Sequence, residues 1–295
     1  MAKRTYTISV IQLNLNNTPE NNLKKCLKWV KDAASKGAEV ICLPELYSSH
    51  YFCQSEDTEA FALAEPLYGV SFTAFSELAK ELGVVIIVPF FEKRMAGIYH
   101  NSAYIIDQDG TEAGLYRKMH IPDDPHYYEK FYFTPGDLGF KTIPTKKGNI
   151  GTLICWDQWY PEAARLTALQ GAEVLFYPTA IGWHPKEKDE YGSNQYGAWM
   201  NVMKGHAVAN GVYVAAANRI GLEQYVPDTD GIQFWGASFI AGPQGEILAQ
   251  ASHDKEEILI ASVDLDLQEN VRQNWPFFRD RRIDMYGAIT KRAID

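Results

Sequence analysis

Residues 149–166 read NIGTLICWDQWYPEAARL, and the reading of this stretch decides the fold. The apolar run 150–154 predicts a buried strand. It delivers Cys155 to a short loop, after which Pro161-Glu162 opens a helix. Proline carries a preset helical φ, and glutamate favours the positive end of the helix dipole. A thiol at the carboxyl end of a central strand, just before a helix N-terminus, is expected where thiolate is stabilised. Cys155 is therefore a candidate nucleophile. A packed core cysteine is the alternative that this stretch leaves open, because free Cys is among the most buried residue types.

The same order of elements recurs on either side. Residues 5–14 alternate apolar and polar, as a half-buried strand does. Pro19-Glu20 starts a helix to about Lys36, with Leu23, Leu27, Val30 and Ala34 on one face and Gly37 closing it. AEVICLPE (38–45) is a buried strand that ends at Pro44 and presents Glu45. A helix over 71–82 stops at Gly83, and 84–90 is another buried strand. In the second half the strand 149–155 leads to a helix ending near Gln170, then a strand at 171–179. A helical stretch at 194–209 and a strand at 211–218 follow. The Pro-Glu helix starts (19–20, 161–162), the GAEV motifs (37–40, 171–174) and the Gly-Val strand starts (83–84, 211–212) fall in one order. Internal duplication explains this; chance similarity of αβ units is the alternative.

Helix-separated apolar strands imply parallel pairs with helices on a face. Asp109-Gly110 predicts a hairpin joining 99–107 to 112–117. Gly242-Pro243-Gln244-Gly245 predicts one joining 232–240 to 246–252. Each half then has a mixed sheet, and the expected fold is α/β: a four-layer α-β-β-α sandwich. No Pro/Gly/Ser-rich linker divides the chain, so one domain is expected over 1–264. The tail, 265–295, begins with a short helix (267–273) and turns aromatic and basic (NWPFFRDRRIDMY). It is expected to pack on a partner subunit or back on its own.

The chain has 295 residues, 46% of them hydrophobic, enough for a large core. A net charge of −9 argues against a nucleic-acid or anionic-membrane partner. No apolar run approaches a transmembrane span, and MAKRTYTISV moves directly into a strand pattern without a signal-peptide core. Four cysteines with no C-x-x-C point to a reducing compartment. A cytoplasmic protein is expected.

Three stretches put reactive groups at strand ends, where ligand sites gather in open α/β sheets: Pro44-Glu45, YRKMHIP (116–122) and Ile154-Cys155-Trp156. A thiol nucleophile, a carboxylate to take its proton and a cation for the oxyanion are what acyl transfer from nitrogen requires. Singly, Glu45 reads as a helix cap and Lys118 as a solvated strand-end charge. Together with the TPGD turn (134–137) and LICWDQWYPEAAR (153–165), they resemble the nitrilase superfamily of carbon–nitrogen hydrolases along essentially the whole chain. GAEVLFYPTAIG (171–182) and GHAVANGVYVAAANRIG (205–221) look most like its N-carbamoylputrescine amidase branch. The resemblance implies a Glu-Lys-Cys triad: Glu45 as general base, Lys118 as cationic catalyst and Cys155 as nucleophile. It also implies Glu129, in HYYEKFYF, as a second glutamate that orients lysine and substrate. The implied activity is hydrolysis of N-carbamoylputrescine to putrescine, carbon dioxide and ammonia, a step of polyamine biosynthesis. It needs no metal or cofactor. Members of the superfamily commonly form homo-oligomers, dimers or larger assemblies of dimers.

Tyr51, His126, Tyr128, Trp156, Asp157, Thr179, Ala180 and Glu187 are the expected substrate contacts. Aromatic walls and acids suit a distal ammonium. The run WHPKEKDEYGSNQY (183–196) reads most simply as a solvated loop, or as a site rim whose Glu187, Asp189 or Glu190 meets a cationic tail. Arg219 is the candidate clamp for the rival substrates, N-carbamoyl-β-alanine or a dicarboxylic monoamide. Cys26 and Cys42 read as core, Cys53 as core or pocket wall, and His206 as packing rather than a partner for Cys155. The scattered histidines support no zinc site. A catalytically inactive association scaffold is the rival outside enzymes.

Overall fold

The computed structural model describes residues 4–294; Met1–Lys3 and Asp295, the ends of the expected domain and tail, lie outside the described residues. In chain order the first half is β1 (Thr5–Gln12), α1 (Pro19–Ser35), β2 (Val40–Cys42), α2 (Val70–Leu82), β3 (Val85–Met95), β4 (Ile98–Ile106) and β5 (Glu112–Arg117). A one-turn helix α3 (Glu129–Tyr132) separates it from the second half. There follow β6 (Thr142–Pro144), β7 (Asn149–Thr152), α4 (Pro161–Leu169), β8 (Val174–Pro178), β9 (Gly182–Trp183), α5 (Lys188–Asn210) and β10 (Tyr213–Ala217). The chain closes with β11 (Ile220–Glu223), β12 (Ile232–Trp235), β13 (Phe239–Ala241), β14 (Ile247–Gln250), β15 (Glu257–Asp264) and α6 (Leu265–Asn274).

The two halves have one topology. Strands β1, β2 and β3 are parallel neighbours, and β4 and β5 continue the sheet antiparallel. In the second sheet β7, β8 and β10 are parallel and β13 and β14 follow antiparallel. An antiparallel strand flanks each first strand: β15 on β1, and β6 on β7. The repeated anchors have a physical cause: Gly83 and Gly211 end α2 and α5 in the left-handed region, at φ +67° and +54°, where a side chain is strained.

Side-chain alternation builds the layers. Val40, Cys42, Val85, Ile87, Ala103 and Ile105 of the first sheet join Val174, Phe176 and Val214 of the second in one core. Their neighbours Ile41, Ile86, Val88, Tyr104 and Ile106 face the other way, against Cys26 and Val30 of α1 and Phe75 and Leu78 of α2. Helices α4 and α5 cover the second sheet with Ala163, Ala164, Trp199 and Met203. A one-residue slip of β2 would exchange its two faces, so burial on both sides fixes its register.

Two sequence expectations are corrected. The run 183–196 is mostly helix: Trp183 belongs to β9, and α5 begins at Lys188. The helix has little amphipathic contrast, so periodicity does not mark its first turns. The expected strand 232–240 is broken, because Gly236 and Ala237 both have positive φ (+58° and +51°). Its first part, β12, pairs with β9 and β11 in a separate three-stranded sheet; only β13 enters the hairpin with β14. The start of the tail folds back on its own subunit. Gln268 donates to the Glu173 carbonyl, and Arg272 donates to those of Gly211 and Ala172. Among the described residues no helix is long and apolar enough to cross a membrane.

Candidate active site

Glu45, Lys118, Glu129 and Cys155 reach one place from four different elements. Leu43 and Pro44 carry the chain from the end of β2 to Glu45, and Leu46 then turns it at φ +47°. Lys118 lies just past β5, where the chain stays extended: its N–H donates to the Asn101 carbonyl (2.8 Å) and its carbonyl accepts from Gly136 (2.8 Å). A Cβ at Gly136 would lie 2.1 Å from the Arg117 carbonyl oxygen, so the TPGD turn needs glycine to sit against the lysine strand. Glu129 is the first residue of α3. Cys155 begins a 3₁₀ turn (Cys155–Trp159) at φ +41°, an uncommon backbone for a residue with a side chain.

All three charged groups are buried. The Lys118 ammonium donates to Glu45 Oε1 at 2.9 Å and to Glu129 Oε2 at 2.6 Å. Glu45 Oε1 also accepts from the Asn101 amide at 2.7 Å, and Glu129 Oε1 from the Tyr51 hydroxyl at 2.6 Å. Among the described residues Glu45 Oε2 has no hydrogen-bond partner. One oxygen of Glu45 is thus saturated and the other is open to take a proton. Burial works against the Lys118 ammonium, yet Glu129, Glu45 and Cys155 outweigh it and raise its pKa well above the ordinary lysine value. Burial, opposed by Lys118 and reinforced by Glu45, pushes Glu129 up to about 7.

The sulfur behaves differently from the sequence expectation. Burial first and the Glu45 charge second hold the Cys155 thiol above its ordinary pKa; Lys118 and Thr179 offset this only in part. These surroundings favour the thiol over the thiolate. A single 3₁₀ turn supplies little dipole to offset burial and the Glu45 charge.

Cys155 lies on a cavity of about 650 Å³, walled by Trp156, Trp159, Tyr127, Trp235 and Ala180, with Asp124, Glu187 and Asp230 among its lining acids. His126 lines it too, its ring centroid 5.0 Å from that of His184. Of the expected substrate contacts, His126, Trp156, Ala180 and Glu187 line this cavity. Tyr51 lies behind it, on Glu129. Tyr128 is not on the wall; its backbone N–H donates to the Cys53 carbonyl. Thr179 is buried with its hydroxyl toward Gln158. Asp157 is fully buried and occupied by Tyr116, His120 and the Ile154 N–H, so a substrate contact is corrected to an internal one. Neither Asp189 nor Glu190 lines the cavity, because the first turn of α5 carries them past it.

The remaining candidates resolve by burial. Arg219 is fully buried on Glu223 (2.8 Å) and the Ser49 carbonyl (2.7 Å), so it is no clamp for a substrate carboxylate. Cys26, Cys42 and Cys53 are all buried, Cys53 within an aromatic cluster and off the cavity wall. His206 Nε2 donates to the Gln158 carbonyl, which is the packing role expected. Asn101 was missed. Its signal was a polar run, His100-Asn101-Ser102, inside an otherwise apolar strand.

Comparisons with known proteins agree with this fold. The carbon-nitrogen hydrolase family model matches residues 7–273. An N-carbamoylputrescine amidase of Arabidopsis thaliana is 48% identical over 292 residues, covering 97% of this chain and 96% of that protein. A citrullinase of Francisella tularensis is 41% identical, covering 97% and 98%. The crystal structure of a carbon-nitrogen hydrolase from Helicobacter pylori G27 superposes with a TM-score of 0.94 at 47% identity, covering 98% of this chain and 100% of that one.

Proposed function

This chain belongs to the carbon-nitrogen hydrolase family, and from that premise we propose that it hydrolyses N-carbamoylputrescine to putrescine, carbon dioxide and ammonia. The observation that carries the mechanism is the asymmetric filling of Glu45: Oε1 holds Lys118 and Asn101, and Oε2 is free. Glu45 Oε2 takes the thiol proton as Cys155 Sγ attacks the ureido carbon. Because the surroundings of Cys155 favour the thiol, proton transfer and attack proceed together. The Lys118 ammonium and the Trp156 N–H at the start of the turn hold the oxyanion. Glu45 returns the proton to the leaving nitrogen, which departs as ammonia and leaves an S-carbamoyl cysteine. Glu45 then deprotonates a water that attacks this intermediate. The carbamic acid released divides into amine and carbon dioxide. Glu129 keeps the lysine in place throughout.

The far end of the cavity supports a cationic tail. Asp124 and Glu187 are acids on its wall, and Trp156, Trp159 and Tyr127 offer ring faces to an alkylammonium. Lys186 is a cation on that wall and already pairs with Asp230 at 2.6 Å. Among the described residues lining the cavity, a substrate ending in carboxylate finds no other lysine or arginine. Ammonia release from N-carbamoylputrescine, L-citrulline and N-carbamoyl-β-alanine tests the assignment. The first is expected to lead in kcat/KM by at least about 100-fold, the value of one misplaced buried charge. Equal or reversed rates would overturn it. The free cysteines support a cytoplasmic location, and the exposed Trp275, Ile283, Met285 and Ile289 of the tail support a homo-oligomer.

A further inference from the structure

Asp157 takes no part in the chemistry above, yet it is fully buried and its two oxygens meet four donors. Oδ1 accepts from the His120 N–H at 3.0 Å and pairs with His120 Nδ1 at 2.7 Å. Oδ2 accepts from the Tyr116 hydroxyl at 2.7 Å and from the Ile154 N–H at 3.0 Å. The N–H of Asp157 itself donates to the Ile154 carbonyl at 3.0 Å, closing the turn that presents Cys155.

The partners on the other side are not arbitrary. Tyr116, in β5, and His120, past a bend at Met119, lie two residues before and two residues after Lys118, and both reach Asp157. Arg117, between them, faces the opposite way and pairs with Glu92 (2.6 Å) and Asp137 (2.9 Å). Lys118 is thus bracketed, two residues away in sequence in each direction, by two side chains that hold the same carboxylate. That carboxylate lies two residues beyond Cys155. His120 is further locked by stacking on Tyr160, which ends the Cys155 turn, at 3.7 Å between ring centroids and 3° between planes.

We propose that Asp157 is a positioning residue that sets the nucleophile turn and the lysine strand relative to one another, with Tyr116 and His120 as its grips on the strand. A non-glycine residue at positive φ persists only where its surroundings over-determine it. The bonds that Asp157 makes back across Cys155 to the N–H and carbonyl of Ile154 supply that constraint and refer it to the element carrying the cation. Asparagine cannot replace it: each oxygen accepts a backbone N–H, so either amide orientation sets an NH₂ against a donor.

This inference rests on Cys155 being the nucleophile, and the experiment separates the two. Full-length D157N, Y116F and C155S are compared with the parent for kcat and KM on N-carbamoylputrescine. The rate of Cys155 alkylation by iodoacetamide and the thermal midpoint are measured alongside. D157N is expected to lose about 100-fold in kcat, the effect of a roughly 1 Å misplacement. Its KM should stay within about threefold, and its alkylation should slow. Y116F, which removes one donor and leaves no charge unpaired, is expected to show the same pattern at about tenfold, and it decides the matter if D157N does not fold. Folded variants with kcat and alkylation within about twofold of the parent would overturn the proposal. So would activity lost only in proportion to the folded fraction. Turnover retained by C155S would instead overturn the nucleophile reading.

Discussion

The two halves share a strand order but end their central strands on opposite chemistry, and each end is secured by the other half. The first half presents Glu45, followed by Leu46 at φ +47°; the second presents Cys155, itself at φ +41°. Such positions cost on the order of 1–3 kcal/mol each and need anchors. The Glu45 segment is held by an ion: Arg219, from the second half, reaches the Ser49 carbonyl and is neutralised by Glu223, which also accepts the Tyr51 N–H at 2.8 Å. The Cys155 turn is held by a carboxylate whose partners, Tyr116 and His120, come from the first half. A general base needs a fixed charge beside a desolvated lysine, whereas a thiol needs only its backbone set. The ionic anchor is expected to carry more of the stability and the hydrogen-bonded one more of the geometry.

The largest expected effect tests the chemical asymmetry. E45Q keeps the shape and an acceptor for Lys118 but has no oxygen able to take a proton. Its kcat is expected to fall by about 10³-fold, within the usual range for a general base. Steady-state ammonia release measures this, and a loss under tenfold would break the assignment. The anchors are compared next. E223Q leaves the Arg219 guanidinium buried beside a neutral amide and is expected to cost about 3–5 kcal/mol, the usual penalty for breaking a buried pair. Urea midpoints decide: a change under about 1 kcal/mol would remove the distinction drawn between the two anchors.

A pH experiment sharpens the comparison on the Glu45 side. Glu129 sits at about 7 in the fold and near 4.5 unfolded. Between those values the native state keeps a proton that the unfolded chain has lost. Its contribution is therefore fully present below about 4.5 and is lost as pH rises through about 7. The parent should lose stability over that window relative to E129Q; parallel urea midpoints across it would contradict the assignment. The smallest effect is at the cavity wall. E187Q should raise KM for the cationic substrate by about fivefold, the worth of one partly exposed ion pair, with kcat unchanged.

Much of this was legible locally. Gly83 and Gly211, the Pro-Glu helix starts and the apolar runs mark element ends because each acts through its own backbone. The candidate trio was legible because Glu45, Lys118 and Cys155 each follow a recognisable strand. Asp157 was misread for the complementary reason. Its sequence neighbours Cys155 and Trp156 both line the cavity, and nothing local says that its carboxylate turns inward toward residues some forty positions earlier. Arg219 was misread likewise, since Glu223 satisfies it only once β11 has folded beside the Glu45 loop.

The sequence by itself determined the alternation of strands and helices, their repetition, and which side chains are candidates for the chemistry. Hydrophobic period, proline and glycine are properties of neighbouring residues. Only the tertiary structure decided that the surroundings of Cys155 favour its thiol, that one Glu45 oxygen is free and that Arg219 is spent inside the protein. Charge state and hydrogen-bond occupancy depend on what burial removes from water and on which distant groups fill its place.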